Sequence, residues 1–118
     1  MSTRERGKIA EDVAADYLIA NGYRIVARNF SCKLGEIDIV ALHNHDLVFV
    51  EVRSRGSAST LDPIFSINRK KQTKIVRAAE VYVDKHFKKE PPSRFDVVLV
   101  TMDDPPLVEH ICDAFYAS

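Results

Sequence analysis

The stretch "GEIDIVALHNHDLVFVEVRSR", residues 35–55, decides the fold. Residues 35–43 and 46–54 are dense in Val, Ile, Leu and Phe. The "HNHD" between them (43–46) is a tight turn, so the stretch predicts a β-hairpin. Side chains alternate across a strand. On the first strand Glu36, Asp38, Val40 and Leu42 share one face, and Ile37, Ile39 and Ala41 the other. On the second, Leu47, Phe49, Glu51 and Arg53 share a face, and Val48, Val50 and Val52 the other. With His43 facing Asp46, Asp38 falls opposite Glu51 and Glu36 opposite Arg53. One face is then wholly apolar, while the other is apolar near the turn and charged at its far end. Opposed Cβ atoms lie ~4.5–5.5 Å apart, so carboxylates on Asp38 and Glu51 repel each other. Either one keeps a proton at neutral pH or a cation lies between them. Hard divalent cations take oxygen ligands, and Mg²⁺ combines one or two carboxylates with water and substrate phosphate.

A simpler arrangement fits the same residues: a cross-strand Glu36–Arg53 ion pair, with Asp38 and Glu51 at a solvated sheet edge. Two features favour a site. The paired acids interrupt dense apolar strands, and a basic segment follows them. From Arg53 to Arg94 there are eleven Lys or Arg against four acids (Asp62, Glu80, Asp84, Glu90), in a chain of zero formal net charge. A segregated basic stretch can hold a polyanion, although a solvated helix face looks the same in sequence.

At 118 residues, 46% hydrophobic and 29% charged, the chain is expected to be one ordinary globular domain, 1–118. Its two cysteines, Cys32 and Cys112, sit in apolar strand-like runs and are expected as reduced core thiols. No apolar run approaches the ~20 residues of a membrane span, and the first residues lack a leader pattern. A cytoplasmic protein with no membrane partner is expected.

Around the hairpin the elements follow from periodicity and punctuation. Residues 2–23 predict a helix with a Ser2/Glu5 capping box, an apolar stripe of Ile9, Ala10, Val13, Ala14, Tyr17 and Leu18, and an Asn21-Gly22 stop. Glu11 lies at the edge of that stripe. Residues 23–30 predict a strand, 55–63 a loop, and 67–87 a second helix capped by Asn68 or Ser66. Residues 94–102 and 107–115 predict two more strands around "DDPP". The order is αβββαββ, an α/β (α+β) class with a mixed central sheet flanked by helices. On the second helix the seam Ile75, Ala79, Tyr82 extends back to Lys71. Lys71 should therefore face the sheet with Gln72 beside it, while Lys70, Lys74 and Arg77 point outward.

"GEID", a short gap and "VFVEVRSR" resemble the PD-(D/E)XK nuclease motif. The wider set also includes "GKIAEDVA" (7–14), "RNF" (28–30), "RKKQTKI" (69–75), "RFDVV" (94–98) and the closing "AF". With these the chain resembles the YraN-like uncharacterised family, distantly similar to archaeal Holliday-junction resolvases. The resemblance covers nearly the whole chain and implies a restriction-endonuclease-like domain. It also implies an Mg²⁺- or Mn²⁺-dependent endonuclease that hydrolyses DNA phosphodiesters in branched or structured DNA. Metal ligands by position are Asp38, Glu51, Glu11 and the Val52 carbonyl. Arg53 occupies the motif lysine position; an arginine stays protonated, so it can steady phosphate charge but cannot act as a general base. Lys71 and Gln72 are the second-helix candidates for the catalytic group, and Arg53, Arg55, Arg69, Lys70, Lys71 and Lys74 for phosphate contacts. Cutting two strands of a junction needs two sites, so a homodimer is expected by fold analogy. Arg53 and the lack of net basicity support the alternative, a non-catalytic module on the same fold that binds nucleic acid or protein.

Other signals point to no chemistry. The histidines of "HNH" (43–45) fall in a turn, and with His86 and His110 they form no zinc spacing. There is no Gly-rich phosphate loop. Tyr17, Tyr23, Phe30, Phe95 and Phe115 are scattered as core residues are. Asp96 is open to two readings, a contact with the site or a structural pairing with Arg94.

Overall fold

The elements appear in the expected order in a computed structural model, which describes residues 1–56 and 67–116. They are α1 (Thr3–Ala20), β1 (Arg24–Cys32), β2 (Gly35–His43), β3 (Asp46–Arg55), α2 (Arg69–His86), β4 (Ser93–Thr101) and β5 (Leu107–Phe115). The five strands form one sheet in sequence order. β3 and β4 pair in parallel and the other neighbours antiparallel. A parallel pair needs a long crossover, and α2 lies in it. The loop expected at 55–63 falls, from residue 57 on, outside the described residues, as does Ser66.

Local chemistry sets both helix starts. Ser2 Oγ accepts from Glu5 N–H at 3.1 Å and Glu5 returns the bond to Ser2 N–H at 3.2 Å, closing the capping box on α1. Asn68 Oδ1 accepts from Lys71 N–H at 2.8 Å and caps α2. α1 buries Ala10, Ala14, Ala15 and Leu18 on one sheet face, against Ile39, Ala41, Val48, Val50, Val98 and Val100. Its buried stripe is rotated from the expected one, since Ile9 is 40% exposed. α2 buries Ile75, Ala78, Ala79 and Tyr82 on the other face, against Val40, Leu47, Phe49, Phe95 and Val97. The cysteines are free, but neither is a core thiol: Cys32 is half-buried and Cys112 exposed.

The start of β2 lies hard against α2. A Cβ built on Gly35 would come 2.5 Å from the Lys74 carbonyl oxygen, and backbone cannot swing aside as a side chain can. Gly35→Ala is therefore expected to push α2 off the sheet and to lower stability by ~1–3 kcal/mol. Urea unfolding read by far-UV circular dichroism checks this, and a variant as stable as wild type would contradict it.

Candidate functional site

The hairpin keeps the expected register from His43↔Asp46 to Ile39↔Val50, and there the β2–β3 ladder stops. One residue further on lies Asp38. On its other side β1 also gives way: Arg28 pairs with Ile39 and Phe30 with Ile37, while Asn29 between them takes φ 55°. Asp38 therefore sits at a gap in the sheet, unpaired on both edges. The strand turns over at this point. Ile37 packs into the α2-side cluster and Ile39 into the α1-side cluster, which corrects the shared face expected for them.

The Asp38 side chain takes over the missing rung. Its Oδ2 accepts from Val52 N–H at 2.8 Å, where a continued ladder would have brought a β2 carbonyl. The N–H and C=O of one strand residue point to the same side, so the Val52 carbonyl is directed toward β2 as well. The Asp38 carboxyl also shares a hydrogen bond with Glu51. Burial, then that hydrogen bond and the Glu51 charge, push Asp38 up to about 8; Val52 N–H and Lys71 pull the other way without prevailing. At neutral pH the pair holds a proton. Glu51 is 8% exposed, and its buried Oε2 has no aligned hydrogen bond. Lys71 Nζ, from the first turn of α2, stands 3.1 Å from that oxygen as an ion pair.

The other expected site residues are distributed unevenly. Glu11 is held by Arg28 Nε at 2.9 Å and Asn29 Nδ2 at 3.0 Å. It does not converge within 4.8 Å on both Asp38 and Glu51. Gln72 turns away from the carboxylates, its amide donating to the Ile67 carbonyl at 2.7 Å. Arg53 is half-buried, and its side chain makes no hydrogen bond or ion pair with a described residue. Glu36 is exposed and makes no ion pair with Arg53 among the described residues. Arg55 is engaged at the sheet end, donating to Thr101 Oγ1 at 3.0 Å and standing 3.8 Å from Glu109. Lys70, Lys71 and Lys74 share a cavity of about 510 Å³ with Lys33, from the β1–β2 turn, and the α2 cap Asn68. Arg69 lines a separate depression with Gln72 and Arg77.

Oxygen donors facing one another, a buried carboxylate oxygen whose neighbour is the Lys71 ammonium, and a proton held between two acids fit a hard-cation site. The residues present fit such an ion. Lys71 gives the same place an ammonium beside it and opens it to the basic cavity.

The pattern of the uncharacterised protein family UPF0102 matches residues 10–100. The chain belongs to UPF0102. It is 42% identical over 114 residues to a UPF0102 protein of Caldanaerobacter subterraneus subsp. tengcongensis, with 92% of this chain and 93% of the relative covered. It is 43% identical over 110 residues to one of Persephonella marina, with 93% and 92% covered. It is 37% identical over 115 residues to one of Clostridioides difficile, with 98% and 100% covered. No helix among the described residues of this UPF0102 chain is long and apolar enough to cross a membrane.

Sequence reasoning missed a second polar cluster, on the opposite face of the UPF0102 sheet. Asp96 pairs with Val50, on the α1 side, whereas Glu51 pairs with Val97, on the α2 side. Asp96 is wholly buried. Its Oδ1 accepts from Arg94 Nε at 3.1 Å and Asp113 N–H at 3.0 Å; its Oδ2 lies 2.8 Å from His110 Nε2. Burial raises Asp96, but these hydrogen bonds outweigh it and hold the carboxyl below its usual range. Of the two readings left open, the pairing with Arg94 is the one the structure contains. The findable signal was His110-x-Cys112 on β5, whose i, i+2 spacing puts both side chains on one face.

Proposed function

We propose that this protein is a metal-dependent phosphodiesterase acting on nucleic acid, a nuclease of the PD-(D/E)XK kind. The observation that carries the reading is the Asp38–Glu51 carboxyl pair, set in a gap of the sheet with Lys71 Nζ 3.1 Å from Glu51 Oε2. Asp38, Glu51 and the Val52 carbonyl would hold Mg²⁺ or Mn²⁺. When bound, such an ion lowers the pKa of an attacking water and offsets phosphate charge. The chain's own groups do the rest. Lys71 donates toward the developing negative charge, the electrostatic part of the motif lysine's task. The Arg53 side chain, with no partner among the described residues, would reach a phosphate oxygen. Lys33, Lys70 and Lys74 hold the flanking backbone without reading bases.

Branched, flapped and single-stranded DNA incubated with Mg²⁺ or Mn²⁺ tests this. Cleavage of at least one of them is expected, and it should vanish with chelator. DNA retention that is indifferent to metal, with no cutting of any substrate, would instead identify a binding module on this fold. Lys71→Ala is expected to slow cleavage by ~10²–10³-fold, the scale of losing one preorganised donor. Single-turnover rates at saturating DNA check it; an unchanged rate would remove Lys71 from the site. A homodimer, giving two such sites for two strands, belongs to the same proposal, and sedimentation with junction DNA reads it out.

A further inference from the structure

We propose that Asp96, His110 and Cys112 form a second metal site, of the transition-metal class typified by Zn²⁺, on the sheet face opposite the Asp38–Glu51 pair. A carboxylate, an imidazole and a thiol each offer a donor atom here, and the three lie within 4.8 Å of one another. A mixed S, N, O donor set suits zinc and excludes Mg²⁺ as the preferred ion. Around a tetrahedral zinc, sulfur and nitrogen ligands stand about 3.5 Å apart and nitrogen and oxygen about 3.3 Å. Cys112 Sγ and His110 Nε2 are 3.6 Å apart already. The Asp96–His110 hydrogen bond of 2.8 Å need open only by about half an ångström to admit the ion.

What surrounds the three donors fits ligands more closely than a simple ion pair. Metal ligands are held at their other atoms by outer partners. Asp96 Oδ1 is taken by Arg94 Nε and Asp113 N–H, which leaves Oδ2 for the ion. Arg94 Nη2 comes no closer to Oδ2 than 3.4 Å. His110 Nδ1 is bonded to the Tyr17 hydroxyl at 3.2 Å, which leaves Nε2. The backbone is arranged to this end: the β4–β5 register shifts between Phe95 and Val97, Asp113 takes φ 55°, and its N–H is turned onto Asp96. Charge balances as well. Arg94 is shared with Asp46 at 2.9 Å, so two carboxylates, one thiolate, one guanidinium and a divalent ion sum to zero. Cys112 is exposed, which gives an ion a way in from solvent.

The test uses the full chain stripped of metal and titrated with Co²⁺, a spectroscopic stand-in for zinc. One equivalent is expected to produce a near-ultraviolet thiolate-to-cobalt charge-transfer band. The band should be absent in Cys112→Ser, whose exposed position tolerates serine, and intact in Cys32→Ser and Asp38→Asn. Zn²⁺ should then raise the Tm of wild type by several degrees more than that of Cys112→Ser. No band in wild type, a band that survives Cys112→Ser, or an equal zinc response in both proteins would overturn the proposal.

Discussion

Asp38→Asn is expected to stabilise the folded protein at pH 8, although it removes a charged residue from the centre of the site. The sign follows from the proton. Asp38 titrates at about 8 in the folded chain against an ordinary 3.8, so between those values the folded state binds more protons than the unfolded one. Stability therefore falls as pH rises through this window, the reverse of a salt-bridged aspartate. Asparagine has nothing to titrate. Its carbonyl can accept from Val52 N–H as Oδ2 does, and its amide can donate to Glu51. A tenfold change in proton affinity is worth ~1.4 kcal/mol; with the proton shared by two carboxylates, the gain at pH 8 is on the order of 3 kcal/mol. That corresponds to ~10 °C in Tm for a domain of this size. The difference should shrink toward zero at pH 4. Thermal melts of both proteins from pH 4 to 9 measure it, and a variant less stable than wild type at pH 8 would mean the two carboxyls are not in conflict.

Metal uptake at the same pair should expel that proton. Ligands must be deprotonated to bind, so the apparent affinity for Mg²⁺ or Mn²⁺ is expected to rise about tenfold per pH unit up to pH 8 and then level off. Calorimetry in two buffers of different ionisation enthalpy should count close to one proton released per ion at pH 7. Asp38→Asn and Glu51→Gln should each weaken the ion at least ~100-fold and take cleavage with it, since the remaining carboxylate is a poor site alone. Uptake without proton release, or undiminished in both variants, would place the ion elsewhere. Taken with the melts, one substitution should gain stability and lose activity, a familiar trade at sites built from repelling charges.

The element order was legible because its signals are local: the Ser2/Glu5 box, the Asn68 cap, the strand alternation around "HNHD". The closeness of Asp38 to Glu51 was legible for the same reason, following from the turn and the two-residue period, although the ladder itself stops at Ile39↔Val50. Lys71 could be placed on the sheet side by extending the Ile75–Ala79 seam one turn. What escaped was everything set by the neighbouring strand. Asn29 at φ 55° and the overturn between Ile37 and Ile39 depend on β1, and no period within β2 announces them. Gln72 was assigned by adjacency, but the carbonyl of Ile67 claims its amide. Asp96, His110 and Cys112 are brought together by β4–β5 pairing across a register shift, which spacing along the chain does not reveal.

The bare Cα of Gly35 also acts as a gauge. Lys74, whose carbonyl a Cβ there would strike, is one turn of α2 from Lys71, and that helix carries Lys71 to the hairpin bearing Glu51. The span from ammonium to carboxylate is thus set by the thickness of a missing methyl group, at a place well away from the acids themselves. An alanine there would leave the whole donor set intact and still put the lysine out of reach, so that the protein would keep its metal and lose its speed.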